Sequence, residues 1–256
     1  MSAASPEARF FPEREFGGFT RRDGTVAFYG RVHALLQPHY RVLDVGCGRG
    51  EYAADAVGYR RELRTLKPRC ARLIGLDPDP AAAANPFLHE FLQLSGPRWP
   101  LEDASIDFCL ADWVLEHVDE PATFFSECAR VLRPGGLFAA RTSNRSSLLG
   151  LGSLVLPNRV HASVLRRTRS GRKAADVFPT RLRCNRRRTL QRLLAEHGLR
   201  GAVVFHRGEP TYLHHPRWAY LLELSLLNLA PSQWSYSLFV FARKLDPRPA
   251  APEGGF

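Results

Sequence analysis

The first regular pattern follows residue 23, where Val26, Tyr29, Val32, Leu35 and Leu36 recur at three- and four-residue spacing. That period places them on one face of a short amphipathic helix ending near Pro38. Residues 41–46 form a compact apolar run interrupted by one acid, Asp44, and closed by a glycine, which predicts a buried strand. Residues 51–67 read as a helix weakened at Gly58 and stopped by Pro68. Strands are expected over 71–77, 89–94 and 105–111, the last with Ile106, Phe108 and Leu110 at period two. Asp119 reads as a helix cap ahead of Pro121, and Phe124, Phe125, Cys128, Val131 and Leu132 form the apolar stripe behind it. Pro134, Gly135 and Gly136 end that helix, and a fifth strand follows over 137–142. A helix over 189–198 carries Leu190, Leu193 and Leu194 on one side and ends at Gly198, with late strands over 201–206 and 237–242. Strands alternating with helices predict an α/β fold with helices on both faces of a sheet.

The chain has 256 residues, 45% hydrophobic and 24% charged, a globular balance rather than a disordered one. The reading is one domain over 23–245, preceded by a loose arm over 1–22 and followed by a flexible tail over 246–256. Five cysteines without a CxxC pair argue against a disulfide framework and a Cys-rich zinc site. His214 and His215 are adjacent and so badly placed to share a metal, and none is expected. There is neither a signal-peptide core at the start nor an apolar run of 18 residues. A cytoplasmic location fits, with or without a peripheral hold on a membrane.

Charge is concentrated rather than spread. Residues 141–192 hold fourteen Lys or Arg against one acid, Asp176, giving +13, while the other 204 residues carry −2. Most of that charge falls in residues 145–188, which read as an Arg-rich insertion after the fifth strand. Its field would gather anionic partners: a phosphorylated small substrate, RNA, or an anionic membrane surface. The alternative is a solvated arginine face.

The chemistry concentrates at residues 44–50, D-V-G-C-G-R-G. Gly46, Gly48 and Gly50 permit tight turning and close approach of a ligand to the backbone. A helix beginning near residue 51 would add free N–H groups. The spacing is GxGxG with Glu51 next, where a dinucleotide fingerprint wants Gly or Ala. Asp44, two residues before the first glycine, would repel a pyrophosphate but can accept from an ammonium group. Asp77 closes the second strand, where a carboxylate can take both ribose hydroxyls. An amino-acid-bearing nucleoside meets these demands better than NAD does.

The stretches VLDVGCGRG (42–50), LIGLDPD (73–79), PLEDASIDFCLADWVLEHVDEP (100–121) and RVLRPGG (130–136) together resemble the class I S-adenosylmethionine-dependent methyltransferases. The likeness is greatest to the small-molecule group called type 11. It implies a three-layer Rossmann-like sheet of seven strands in order 3-2-1-4-5-7-6, the seventh antiparallel, and S-adenosyl-L-methionine as cofactor. It places Asp44 and the Gly46–Gly50 turn, Cys47 included, around the methionine moiety, Asp77 on the ribose and Pro78 beside the adenine. Asp112 and Trp113 would border the cofactor and the methyl-transfer pocket. Many relatives carry an acid after the third strand; here Ser95 and Gly96 stand there, so adenine recognition falls to backbone or Ser95.

A methyl acceptor that loses a proton needs a base. His117 in D-W-V-L-E-H is the candidate, at the strand edge where α/β sheets bind ligands. A structural histidine is the competing reading. Glu116 either pairs with it or lies exposed at the turn, and exposure is favoured. Tyr29, Asn144, Arg159, His161 and Arg183 are candidate substrate contacts, the arginines because a guanidinium matches carboxylate or phosphate. The leading expectation is methyl transfer to a hydroxyl, amine or activated carbon of a small or lipid-linked metabolite. The alternatives are an RNA methyltransferase using the Arg-rich insertion, and a non-catalytic cofactor-binding or membrane-surface module using residues 148–156.

Overall fold

The computed structural model describes residues 9–147, 179–210 and 217–246. The strands are β1 (Arg41–Val45), β2 (Arg72–Asp77), β3 (Glu90–Gln93), β4 (Ile106–Asp112), β5 (Leu132–Ser143), β6 (Leu199–His206) and β7 (Ser237–Lys244). They form one sheet in the order β3-β2-β1-β4-β5-β7-β6. The first five run parallel, and β7 is antiparallel to both β5 and β6. Among the described residues they are accompanied by α1 (Gly24–Leu35), α2 (Gly58–Arg64), α3 (Pro121–Val131), α4 (Arg187–Glu196) and α5 (Arg217–Leu229).

Alternation along the strands decides which helix packs where. Val42, Phe108, Leu110, Ala139 and Phe239 face α1 and α2, meeting Phe28, Tyr29, Val32 and Leu63. Leu43, Val45, Cys109, Ala111, Phe138 and Ala140 face the other way, against Phe125, Cys128 and Val131 of α3 and Leu190, Leu193 and Leu194 of α4. The strand order reverses between β1 and β4, which opens a crevice at their C-terminal ends.

Three local expectations are corrected. The helix expected over 51–67 is split: Glu51–Ala54 is a single tight turn, and α2 begins at Gly58 instead of being weakened there. Asp55 causes the break, because its carboxylate accepts from the Val57 N–H and pairs with Arg60, turning the chain between the two pieces. Consequently no full helix N-terminus stands at residue 51. Asp119 does not cap α3; Glu120 occupies that position without a side-chain hydrogen bond, and Asp119 instead pairs with Arg181 and Arg183. Finally, the Pro134-Gly135-Gly136 stretch lies inside β5, which starts directly after α3, and the β4–β5 register shifts between Ile106 and Phe108 to absorb it.

Most of the Arg-rich segment lies outside the described residues, as do Arg159, His161, His214, His215 and the apolar stretch 148–157.

Candidate functional site

The turn after β1 is bent by three left-handed glycines, Gly46, Gly48 and Gly50. A Cβ at Gly46 would stand 2.5 Å from Val114, and one at Gly50 would meet Asn85 and Phe87 at 2.9 Å, so the turn has no room for side chains at either place. Asn85 clamps it from outside by donating its amide to the Cys47 and Gly48 carbonyls. Asp77, buried at the end of β2, accepts from the Gly48 N–H at 2.9 Å and from the Asp79 N–H at 2.9 Å. Burial raises its pKa, and it raises that of the Cys47 thiol as well.

Asp44 lies in register beside Gly75 of β2 and Leu110 of β4, at the centre of the crevice. Burial first, then the neighbouring Asp112 and Asp77, push its pKa up to about 7. Asp44 and Asp77 therefore lie close enough on one edge to feel each other. Among the described residues nothing donates a hydrogen bond to Asp44, whereas Asp112 is fully engaged. The Asp112 carboxylate takes Nε and Nη2 of Arg141 at 2.7 Å each, the Tyr29 hydroxyl at 3.1 Å and Arg64 Nη2 at 3.5 Å. Burial alone would raise the Asp112 pKa, but Arg141 and Arg64 hold it below the usual carboxylate range.

Arg141 is 2% exposed, a position fixed by the β4–β5 register that sets it opposite Asp112. Its guanidinium also donates to Thr25 and lies 5.0 Å from the centre of the Trp113 ring. Trp113 adopts a left-handed conformation (φ 60°) and is 38% exposed at the crevice rim. A bulky aromatic residue there costs on the order of 1–3 kcal/mol, strain that clusters at functional sites. Arg64 Nε is buried with no hydrogen-bond partner, between the Tyr29 and Tyr52 rings.

Other candidates fall elsewhere. His117 is partly exposed, and its Nδ1 meets the Pro179 carbonyl at 3.1 Å. The exposure favoured for Glu116 is wrong: it is 6% exposed, accepts from Thr142 at 2.8 Å, and burial raises its pKa. The reason is that Asn185 donates to the same Thr142 hydroxyl and closes the segment after residue 178 over it. Asn144 is buried, its amide spent on the Gln233 and Ser235 carbonyls. Tyr29 is buried against Asp112, Arg183 lies exposed beside Asp119, and Ser95 and Pro78 are exposed beyond β3 and β2.

Sequence reading missed Arg64, Asn85 and Arg141. Arg141 left one signal, a lone arginine in an otherwise apolar strand; Asn85, next to Pro86, reads in the sequence only as a break between segments, and nothing marked Arg64. Among the described residues no group of three His, Cys, Asp or Glu could hold a metal, and no helix is long and apolar enough to cross a membrane.

Residues 43–140 match the methyltransferase domain family. An uncharacterized methyltransferase of Mycolicibacterium vanbaalenii is 33% identical over 231 residues, covering 82% of this chain and 80% of its own. One chain of the complex between the Haloferax volcanii Trm112 methyltransferase activator and a methyltransferase superposes with a TM-score of 0.54 at 18% identity, covering 96% of this chain and 100% of that one. A geranyl diphosphate methyltransferase solved with S-adenosylmethionine gives 0.51 at 15% identity, covering 86% and 84%. The glycine turn, the strand order and this kinship agree: the chain belongs to the class I S-adenosylmethionine-dependent methyltransferases.

Proposed function

We propose that this enzyme methylates a hydroxyl, amine or activated carbon of a small or lipid-linked metabolite, in the cytoplasm or at an anionic membrane surface. The observation that carries the site assignment is Asp44, a half-buried carboxylate to which no described residue donates a hydrogen bond, with its pKa pushed up to about 7. Such a group lacks a hydrogen-bonded cation. Arg64, with its buried Nε unpartnered, supplies the complementary positive charge nearby. Together they match the zwitterionic amino-acid end of S-adenosylmethionine: Asp44 for the ammonium and Arg64 for the carboxylate. When bound, the cofactor supplies an electrophilic methyl on a sulfonium.

Gly46, Cys47, Gly48 and Gly50 present backbone to that end of the site, and Asp77 accepts from the ribose hydroxyls with the lone pairs its two backbone N–H donors leave. Pro78 flanks the adenine, with Ser95 at the far rim. Asp112 acts indirectly, anchoring Arg141 and Tyr29, and Arg141 in turn supports Trp113 as the wall toward the acceptor. Titration calorimetry with S-adenosylhomocysteine tests the assignment. Saturable binding is expected, and no heat at millimolar ligand would remove it.

His117 is the proposed base, oriented by its Nδ1 contact to Pro179. With any acceptor that turns over, His117→Gln is expected to lower kcat by about 100-fold while leaving homocysteine-nucleoside affinity unchanged. Unchanged turnover would reduce His117 to a tether for the segment at Pro179.

A further inference from the structure

A second cavity opens on the same edge of the sheet, three strands beyond the crevice. It encloses about 600 Å³, and among its walls are Asn144 past β5, Phe205 near the end of β6, Trp234 before β7, and Arg186, Arg187 and Arg188 at the start of α4. In register, Ser143, Ser237 and His206 form one row across β5, β7 and β6, so the cavity and the crevice share the C-terminal edge.

The three arginines differ from their neighbours. Arg49, Arg72, Arg130 and Arg133 each pair with a carboxylate, and so do Arg181 and Arg183 a few residues earlier. Among the described residues, Arg186, Arg187 and Arg188 have no such partner; the one guanidinium contact found for them there is Arg187 over the Phe205 ring at 5.4 Å. They also stand at the wrong end of α4. No acid lies in its first turn, and three cations there oppose the positive end of the helix dipole. Arginines that repel one another and the helix end around a concave, aromatic-walled space are stabilised by a bound polyanion. Their forked N–H groups suit phosphate oxygens bidentately.

We propose that this cavity binds a phosphate or diphosphate group carried by the methyl acceptor. The proposal rests on the methyl-transfer reading above and narrows its substrate class. Strand spacing sets the separation between the ends of β4 and β6 at about 14 Å. The acceptor is therefore an extended molecule, with its phosphate remote from the atom that receives the methyl. Trp234 and Phe205 flank the apolar body next to the phosphate.

The test is calorimetry of the full chain with inorganic pyrophosphate, beside S-adenosylhomocysteine as a separate ligand. Sub-millimolar pyrophosphate binding is expected, weakened at least tenfold in the Arg187→Gln/Arg188→Gln double variant, while homocysteine-nucleoside affinity stays within twofold as a control for folding. Wild-type protein that binds the nucleoside but ignores pyrophosphate would overturn this proposal and leave the methyltransferase site standing; loss of nucleoside binding would strike that site instead. Equal pyrophosphate affinity in the double variant would also overturn it. Two arms separate the phosphate's source. Sedimentation with phosphatidylglycerol vesicles, reversed by pyrophosphate, supports a lipid headgroup, and pyrophosphate binding without sedimentation supports a soluble phosphorylated acceptor. An RNA oligomer that needs Arg187 and Arg188 yet resists displacement by pyrophosphate would overturn the small-ligand assignment.

Discussion

Asparagine at position 44 is expected to stabilise the free protein at neutral pH and to cut its affinity for S-adenosylhomocysteine by about a hundredfold. The two effects share one cause. Burial, Asp112 and Asp77 raise the Asp44 carboxyl to about 7 in the folded chain, against 3.8 for the unperturbed group. A carboxyl whose folded pKa is raised contributes its stability below the unfolded pKa and loses it as pH climbs through the folded one. The free wild-type protein should therefore weaken between about pH 4 and pH 7, by on the order of 2–4 kcal/mol. Asp44→Asn removes that slope, so its Tm at pH 7.5 should exceed that of wild type, while at pH 4.5 the two should nearly coincide. With ligand the order inverts, because a neutral amide cannot balance an ammonium in a buried site. Removing one member of such a charge pair costs roughly 2–5 kcal/mol of binding. Melting curves across pH, with and without saturating S-adenosylhomocysteine, read both signs in one experiment. A variant that melts and binds like wild type at every pH would show that Asp44 faces neither a strained anionic environment nor the cofactor.

What the chain discloses without coordinates depends on how local each feature is. The β1 strand, its glycine turn and Asp77 at the end of β2 are legible because period, glycine spacing and strand-end acids are written over a few consecutive residues. The 3-2-1-4-5-7-6 order came from resemblance, since chain order alone does not say which strand lies beside which. Where two local signals competed, the helix expected across 51–67 gave way to Asp55, whose carboxylate turns the chain by accepting from the Val57 N–H, and Asp119 pairs with arginines about sixty residues away instead of a helix end. Glu116 looked solvent-exposed because its cover, Asn185 and the backbone of residues 181 and 182, arrives from the far end of the Arg-rich segment. Arg141 is the clearest case. A lone arginine in an apolar strand is unexplained until register sets it against Asp112, and register is a property of two strands.

Replacing Arg141 by methionine should therefore be among the most destabilising single changes near the crevice, costing roughly 3–5 kcal/mol at pH 7. The loss comes less from the missing attraction than from what stays behind, an Asp112 carboxylate with both oxygens stripped of their main donors in a site that Tyr29 and Arg64 only partly satisfy. The wild-type pair sets the pH signature. Because the folded Asp112 pKa lies below its ordinary value, the pair's contribution is present above about pH 4 and fades as pH falls through the folded pKa. In Arg141→Met the stranded carboxyl is raised instead, so the deficit against wild type should shrink on acidification as it takes up a proton. Asp112→Leu/Arg141→Met should recover most of the stability, since apolar residues of similar volume replace a buried ion pair at little cost. Arg141→Lys should fall between, keeping the charge but losing the two-pronged contact and the planar face against Trp113. Urea titrations of the four proteins decide the matter: a double variant no more stable than Arg141→Met would mean that packing around Phe28 and Trp113, rather than the orphaned carboxylate, is what Arg141 provides.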